Sequence, residues 1–182
     1  MNTAGARVQH RRFLLVCAAQ DFRPRDHDGD LVRERKAGLE DAALCARLWN
    51  EVGRGFWTER SRWNEARWRR HLARPEIDFR IGRRDRRDIG CFELVFGKRG
   101  ARLEGFGLLP AARGSGLGSA WLTTAMHAAF AAGARELRLG TATDDHPHAL
   151  PNYLARGFRI VRETALADPM PDTGIRAAPR RT

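Results

Sequence analysis

The chain has 182 residues, 42% of them hydrophobic, and its 33 lysines and arginines exceed 22 acids for a formal charge of +11. That length can bury one sizeable core, and the absence of any run of 18 apolar residues argues against a membrane-spanning helix. Cys17, Cys45 and Cys91 are odd in number and widely spaced, which excludes a zinc spacing and a disulfide framework and suits free buried thiols in a cytoplasmic protein.

Residues 1–30 read as an N-terminal extension, partly loop. Its apolar run Phe13–Ala19 follows Arg11 and Arg12 like a secretion signal, but it is short and lacks a convincing cleavage site. Strand and helix both remain open for it. Residues 31–166 read as a single domain. Leu31–Lys36 is short enough for a strand, and Gly38–Asp41 is a turn into a helix marked by Ala42, Leu44, Cys45, Leu48 and Val52. Ser61 or Asn64 is the expected cap of a second helix carrying Trp68 and Leu72 inward. Strands follow at 77–82, 89–96 and 101–109, separated by a charged turn at 83–88 and a hairpin turn at 97–100. After a glycine loop, a helix runs from Leu117 to the Ala132-Gly133 stop. A strand at 137–142, a short helix at 149–156 and a last strand at 158–163 complete the domain. Residues 167–182 have prolines and arginines without pattern and are expected to be disordered.

The glycine loop carries the most chemistry. Pro110 ends the strand, and Gly114, Gly116 and Gly118 precede a helix start, where unpaired N–H groups and the positive dipole end favour a phosphate. No Gly-Lys-Ser/Thr follows, so a Walker loop is excluded, and the third glycine is misplaced for a dinucleotide fingerprint. An Arg-x-x-Gly-x-Gly loop, filled by Arg113, Gly116 and Gly118, remains, beside an ordinary strand-to-helix turn.

The stretch Leu108 to Gly118 resembles the acyl-CoA pyrophosphate loop of the GNAT superfamily of N-acyltransferases, and Ala149 to Phe158 resembles its closing Ala-x-x-x-Tyr-x-x-x-Gly-Phe segment. Leu31 to Asp41 is similar to the family's first strand and helix start. The resemblance covers roughly residues 31–164. It implies an α+β fold of three layers: a mixed, largely antiparallel central sheet, splayed at the acyl-CoA site, with helices on both faces. It also implies transfer of an acetyl group from acetyl-CoA to a primary amine. Arg113, Gly114, Ser115, Gly116, Leu117 and Gly118 would then hold the pyrophosphate and pantetheine. A main-chain N–H near Phe106, Gly107 and Leu108 would meet the thioester oxygen. Tyr153, the only tyrosine, falls where the family's general acid falls; packing against Phe158 is the alternative. Asn152 would bond either the ligand or its own backbone.

The sequence departs from the family at two places. His146 stands where an asparagine is frequent, and Arg102 stands where a carboxylate base is frequent. Glu104 and Glu93 are the remaining base candidates, and none is needed if the amine arrives neutral. Trp57, Glu59, Arg60 and Trp63 either wall an acceptor pocket or pack the core. Acids at Glu59, Glu93, Glu104, Asp144 and Asp145 would suit a cationic amine. Two other classes stay open: a non-catalytic acyl-CoA-binding or regulatory protein on the same fold, and a nucleic-acid-binding protein using its arginines. The arginines are scattered rather than blocked, which disfavours the latter. The sequence suggests no metal, and monomer and homodimer are equally open.

Overall fold

The computed structural model of the chain describes residues 10–25, 32–98 and 100–165; the expected disordered tail at 167–182 lies outside them. In chain order the elements are β1 (Arg11–Ala18), β2 (Arg33–Lys36), α1 (Ala42–Val52), α2 (Glu65–Leu72), β3 (Ile77–Arg84) and β4 (Arg87–Phe96). There follow β5 (Ala101–Leu108), α3 (Leu117–Ala131), β6 (Glu136–Ala142), α4 (Ala149–Ala155) and β7 (Arg159–Ala165). The strands form one sheet in the order β2-β3-β4-β5-β6-β1-β7. Every neighbouring pair is antiparallel except β5 and β6.

Helices cover both faces, because the central strands are apolar on both sides. On β4, Phe92 and Leu94 pack with Trp121, Leu122 and Met126 of α3, while Cys91 joins Leu48, Trp49 and Trp68 of α1 and α2. The period-two alternation therefore aims Glu93 at the α1/α2 layer. Trp68 is fully buried there, as expected, with Trp49 and Phe79 each 5.9 Å from its ring. Of the two candidate caps for α2, Asn64 is the one used; its side chain accepts from the Arg67 N–H at 2.9 Å.

The ambiguous run at 13–19 is largely strand. It is not an appendage: β1 lies between β6 and β7 with Leu15, Val16 and Cys17 buried. The charged turn expected over 83–88 is tighter than six residues. β3 and β4 continue to Arg84 and Arg87, and the connection is only Asp85-Arg86, both with positive φ. That is the backbone of a two-residue hairpin turn whose twist matches the strands. An Arg83–Asp88 ion pair closes it.

The sheet opens at its centre. β5 and β6 pair only at Ala101–Leu137 and Arg102–Arg138. Beyond Arg102, β5 bends away, because it holds an extra residue opposite β4: Cys91 faces Gly107 and Glu93 faces Glu104. Gly105 makes the bulge, with φ of 53°. A Cβ there would stand 2.1 Å from the Trp49 ring. Gly105→Ala is therefore expected to lower unfolding free energy by roughly 2–4 kcal/mol, from overpacking plus left-handed strain; urea denaturation measures it.

Candidate active site

The gap between β5 and β6 is the mouth of a cavity of about 870 Å³. Its walls include α1 and the loop after it (Trp49, Phe56, Trp57), Arg60, the β5 bulge, the glycine loop, and α4 with Tyr153. Sequence gives a local reason for the bulge edge and the glycine loop. The bulge frees the outer edge of β5, Pro110 ends that strand, and α3 begins where two glycines turn the chain.

Gly114 and Gly116 have φ of 75° and 77°, and Gly116 is the cap of α3. Added Cβ atoms at Gly114, Gly116 and Gly118 would meet nothing in the protein. The open space above them lets a ligand approach the N–H groups of the first turn. Ser115 and Leu117 do not line the cavity; the Ser115 hydroxyl donates to the Ala112 carbonyl at 2.6 Å, and Leu117 is buried in the core. Arg113 lines the cavity, but its guanidinium is occupied. Nε donates to the Leu108 carbonyl at 3.1 Å and Nη2 to that of Val52 at 3.0 Å. It thus fastens the loop to the end of β5 and to the C-terminus of α1, where a cation is favourable.

The carboxylates expected as bases sit in an ionic network. Arg60, on the loop before α2, reaches Glu93 with two bonds of 2.8 and 2.9 Å and Glu104 with one of 2.9 Å. The guanidinium lies 4.0 Å from the Trp49 ring centroid. His71 Nε2 is 2.6 Å from the second Glu93 oxygen. Glu93 is fully buried and off the cavity wall, so it is not within reach of an acceptor. Burial pushes its carboxyl up, but bonds from His71 and Arg60 outweigh that and hold it below the ordinary value. Glu104 does line the cavity, yet one oxygen is held by Arg60 and the other by Arg102. The same bonding commits Arg60 to the protein rather than to a ligand. Trp63 is away from the cavity, 5.4 Å from Trp68 and 5.3 Å from His71; Trp57 is on the wall, 5.8 Å from Trp49. Of the acids expected to suit a cationic amine, Glu93 and Glu104 are paired, whereas Glu59 and Asp145 line the cavity without an ion-pair partner among the described residues.

Tyr153 is 7% exposed and lines the cavity, with Phe106 and Phe158 at 6.1 and 5.9 Å. The expected packing against Phe158 and the place facing the β5 bulge thus coexist. Burial, and then the Asp145 carboxylate, raise its phenol above the ordinary value, so it stays protonated. Asn152 lines the cavity, and its Nδ2 donates to the Gly118 carbonyl at 3.2 Å, joining α4 to α3. His146 is on the wall beside Phe56. Nucleophilic cysteine chemistry is disfavoured, because burial pushes the Cys17 thiol up to about 11 and that of Cys45 to about 12.

Among the cavity residues that escaped the sequence reading are Trp49, Phe56, Arg25 and Arg156. Arg25 donates to the Ser119 hydroxyl across 94 positions, and no local motif signals a contact that distant. Elsewhere among the described residues many arginines are paired with acids, as in Arg35–Asp41, Arg69–Glu65 and Arg80–Asp78. No helix among the described residues is long and apolar enough to cross a membrane.

Comparison with known proteins agrees with this geometry. Residues 43–158 match the model of the Acetyltransferase (GNAT) family. No curated protein matches the sequence. Among solved structures, a GCN5-related N-acetyltransferase from Kribbella flavida is 19% identical with a TM-score of 0.62, over 85% of this chain and 56% of that one. A second, from Sphaerobacter thermophilus, is 14% identical with a TM-score of 0.66, over 86% and 50%. An aminoglycoside acetyltransferase from an uncultured soil metagenomic sample is 21% identical with a TM-score of 0.55, over 78% and 99%. At these identities the likeness concerns the fold. The chain spans about half the length of the first two.

Proposed function

The chain belongs to the GNAT acetyltransferase family, and from that premise we propose that it moves an acetyl group from acetyl-CoA to a primary amine by direct attack in a ternary complex. The observation that carries this is the opening of the sheet at Gly105, with the α3 N-terminus at one end of the gap and Tyr153 at its side. The N–H groups of Arg113 to Gly118 hold the pyrophosphate. The outer edge of β5 near Phe106 to Leu108 offers an N–H to the thioester oxygen as charge builds on it. The amine nitrogen forms a bond to the carbonyl carbon, the carbon–sulfur bond breaks, and the thiolate takes the Tyr153 proton.

The amine enters neutral. Glu104 is tied to Arg60 and Arg102, and Glu93 is sealed beneath Arg60, so neither expected base is free to take the proton. Trp49, Val52, Phe56 and Trp57 make that wall apolar, which suits a neutral amine better than a cation. The same pairing favours one second reading, acyl-CoA binding without turnover.

Calorimetric binding of acetyl-CoA to the wild type and to Gly116→Asp tests the cosubstrate. Aspartate tolerates the left-handed backbone of that position better than most residues, so the fold survives while its carboxylate faces the phosphates. Affinity is expected to fall about 30-fold or more, the equivalent of roughly 2 kcal/mol. A folded wild type without affinity defeats the proposal. An amine screen for released coenzyme A then separates the two readings: binding with no turnover of any amine favours the second.

A further inference from the structure

We infer that Arg25 and Arg156 form a phosphomonoester site beside the glycine loop; resting on the acetyl-CoA reading above, they hold the 3′-phosphate of the cosubstrate. Arg156 caps α4 and is 8% exposed, yet it lines the cavity. Its Nε is buried without a hydrogen-bond partner, and Nη1 reaches only the neighbouring Ala155 carbonyl at 3.2 Å. A guanidinium with an idle donor in such a place is costly unless something fills it. Burial, and then the positive charge of Arg25, push Arg156 below its ordinary value. Among the described residues neither guanidinium meets a carboxylate, whereas Arg35, Arg60, Arg80 and Arg102 all do.

The two side chains are brought together by α3 and α4. Arg25 is pinned to the first turns of α3: Nη1 donates to the Ser119 hydroxyl at 3.1 Å and its backbone N–H to the Thr123 hydroxyl at 3.3 Å. One turn before Arg156, Asn152 fixes α4 to the Gly118 carbonyl. Two guanidiniums thus approach the cavity from the α3 and the α4 side, next to the loop. The cosubstrate carries two phosphate centres of different chemistry. The pyrophosphate is a diester that helix-start N–H groups serve. The ribose phosphate is a dianionic monoester, which paired arginine forks match in charge and geometry.

The test is calorimetric titration of CoA, dephospho-CoA and adenosine 3′,5′-bisphosphate into the wild type, Arg25→Gln and Arg156→Gln. Arg25 is exposed, so its variant keeps the test decisive if Arg156→Gln folds poorly. The wild type is expected to prefer CoA over dephospho-CoA by about tenfold or more. Either substitution shrinks that preference towards unity, with dephospho-CoA affinity little changed, and weakens adenosine 3′,5′-bisphosphate in parallel. Equal binding of CoA and dephospho-CoA by the wild type overturns the inference. So does an equal weakening of both by the variants, which would assign the arginines to the pyrophosphate. Arginine-dependent binding of the bisphosphate without binding of CoA keeps the phosphate site and removes the acetyl-CoA reading; binding of none removes both.

Discussion

Replacing Arg60 by alanine is expected to cost roughly 3–5 kcal/mol of stability, the range found when one partner of a buried ion pair is removed. Glu93 is fully buried and takes two bonds from Arg60, so the variant strands a carboxylate with His71 as its remaining partner. The pH dependence is the sharper sign. In the wild type the Glu93 carboxyl is held below the ordinary value of 4.5. Its stabilising contribution is complete above that value and is lost as pH falls through the lowered one. Without Arg60, burial dominates and lifts the carboxyl. The variant should then gain stability relative to the wild type as pH falls from 7 towards about 5. Urea denaturation at both pH values measures this. Adding Glu93→Gln should recover part of the loss, because the uncompensated charge is gone. A cost under about 1 kcal/mol, or an unchanged pH slope, would show that the network is not what holds α2 to the sheet.

The same network narrows the chemistry. A carboxylate base works only if it is free to take a proton from the acceptor. Arg60 spends both carboxylates on holding the α1/α2 layer against β4 and β5. Besides these two, the cavity wall offers aromatic surface, backbone N–H groups, the Tyr153 phenol, Glu59, Asp145 and His146. The N–H groups and the phenol stabilise developing charge and protonate a leaving group, and neither they nor the two paired carboxylates take a proton from an ammonium. The burden of reaching the neutral amine therefore lies on the acceptor and on pH, and the rate should rise as the acceptor loses its proton.

The parts of this arrangement that could be read from sequence are local ones. Pro110, the glycines at 114, 116 and 118, and the helical stripe after Leu117 fix the β5–loop–α3 unit by short-range backbone rules. The alternation after Glu136 gives β6, and Ala149 to Phe158 places Tyr153. The unreadable parts depend on distant partners. The run at 13–19 could be strand or helix because what decides it is pairing with β6 and β7, more than a hundred residues on. Arg60 is on the cavity wall, but its ion pairs were not legible because its carboxylates are 33 and 44 positions away. Arg25 carried no signal for the same reason. The Asp85-Arg86 turn was blurred because non-glycine residues adopt positive φ there, against the usual glycine cue.

Tyr153→Phe is expected to lower kcat about a hundredfold or more, the lower end of what a positioned general acid contributes. The substitution removes one hydroxyl from a ring packed by Phe106 and Phe158, and phenylalanine keeps those contacts. Acetyl-CoA affinity and thermal midpoint should therefore stay close to wild type. The raised phenol does not disqualify it as a donor. The burial that lifts the phenol also lifts a thiolate leaving beside it, as it lifts the buried thiol of Cys45 in this protein to about 12. The two proton affinities move together, and transfer between them stays feasible. Because the phenol is protonated throughout the working range, the wild-type rate should rise with pH as the amine becomes neutral, with no decline below about pH 9. Steady-state kinetics of coenzyme A release, beside calorimetry, decides the point. A drop in kcat at constant affinity assigns the hydroxyl to the leaving group. Loss of affinity or of thermal stability in proportion would make Tyr153 a packing residue, and an unchanged kcat would require the thiolate to leave without a proton.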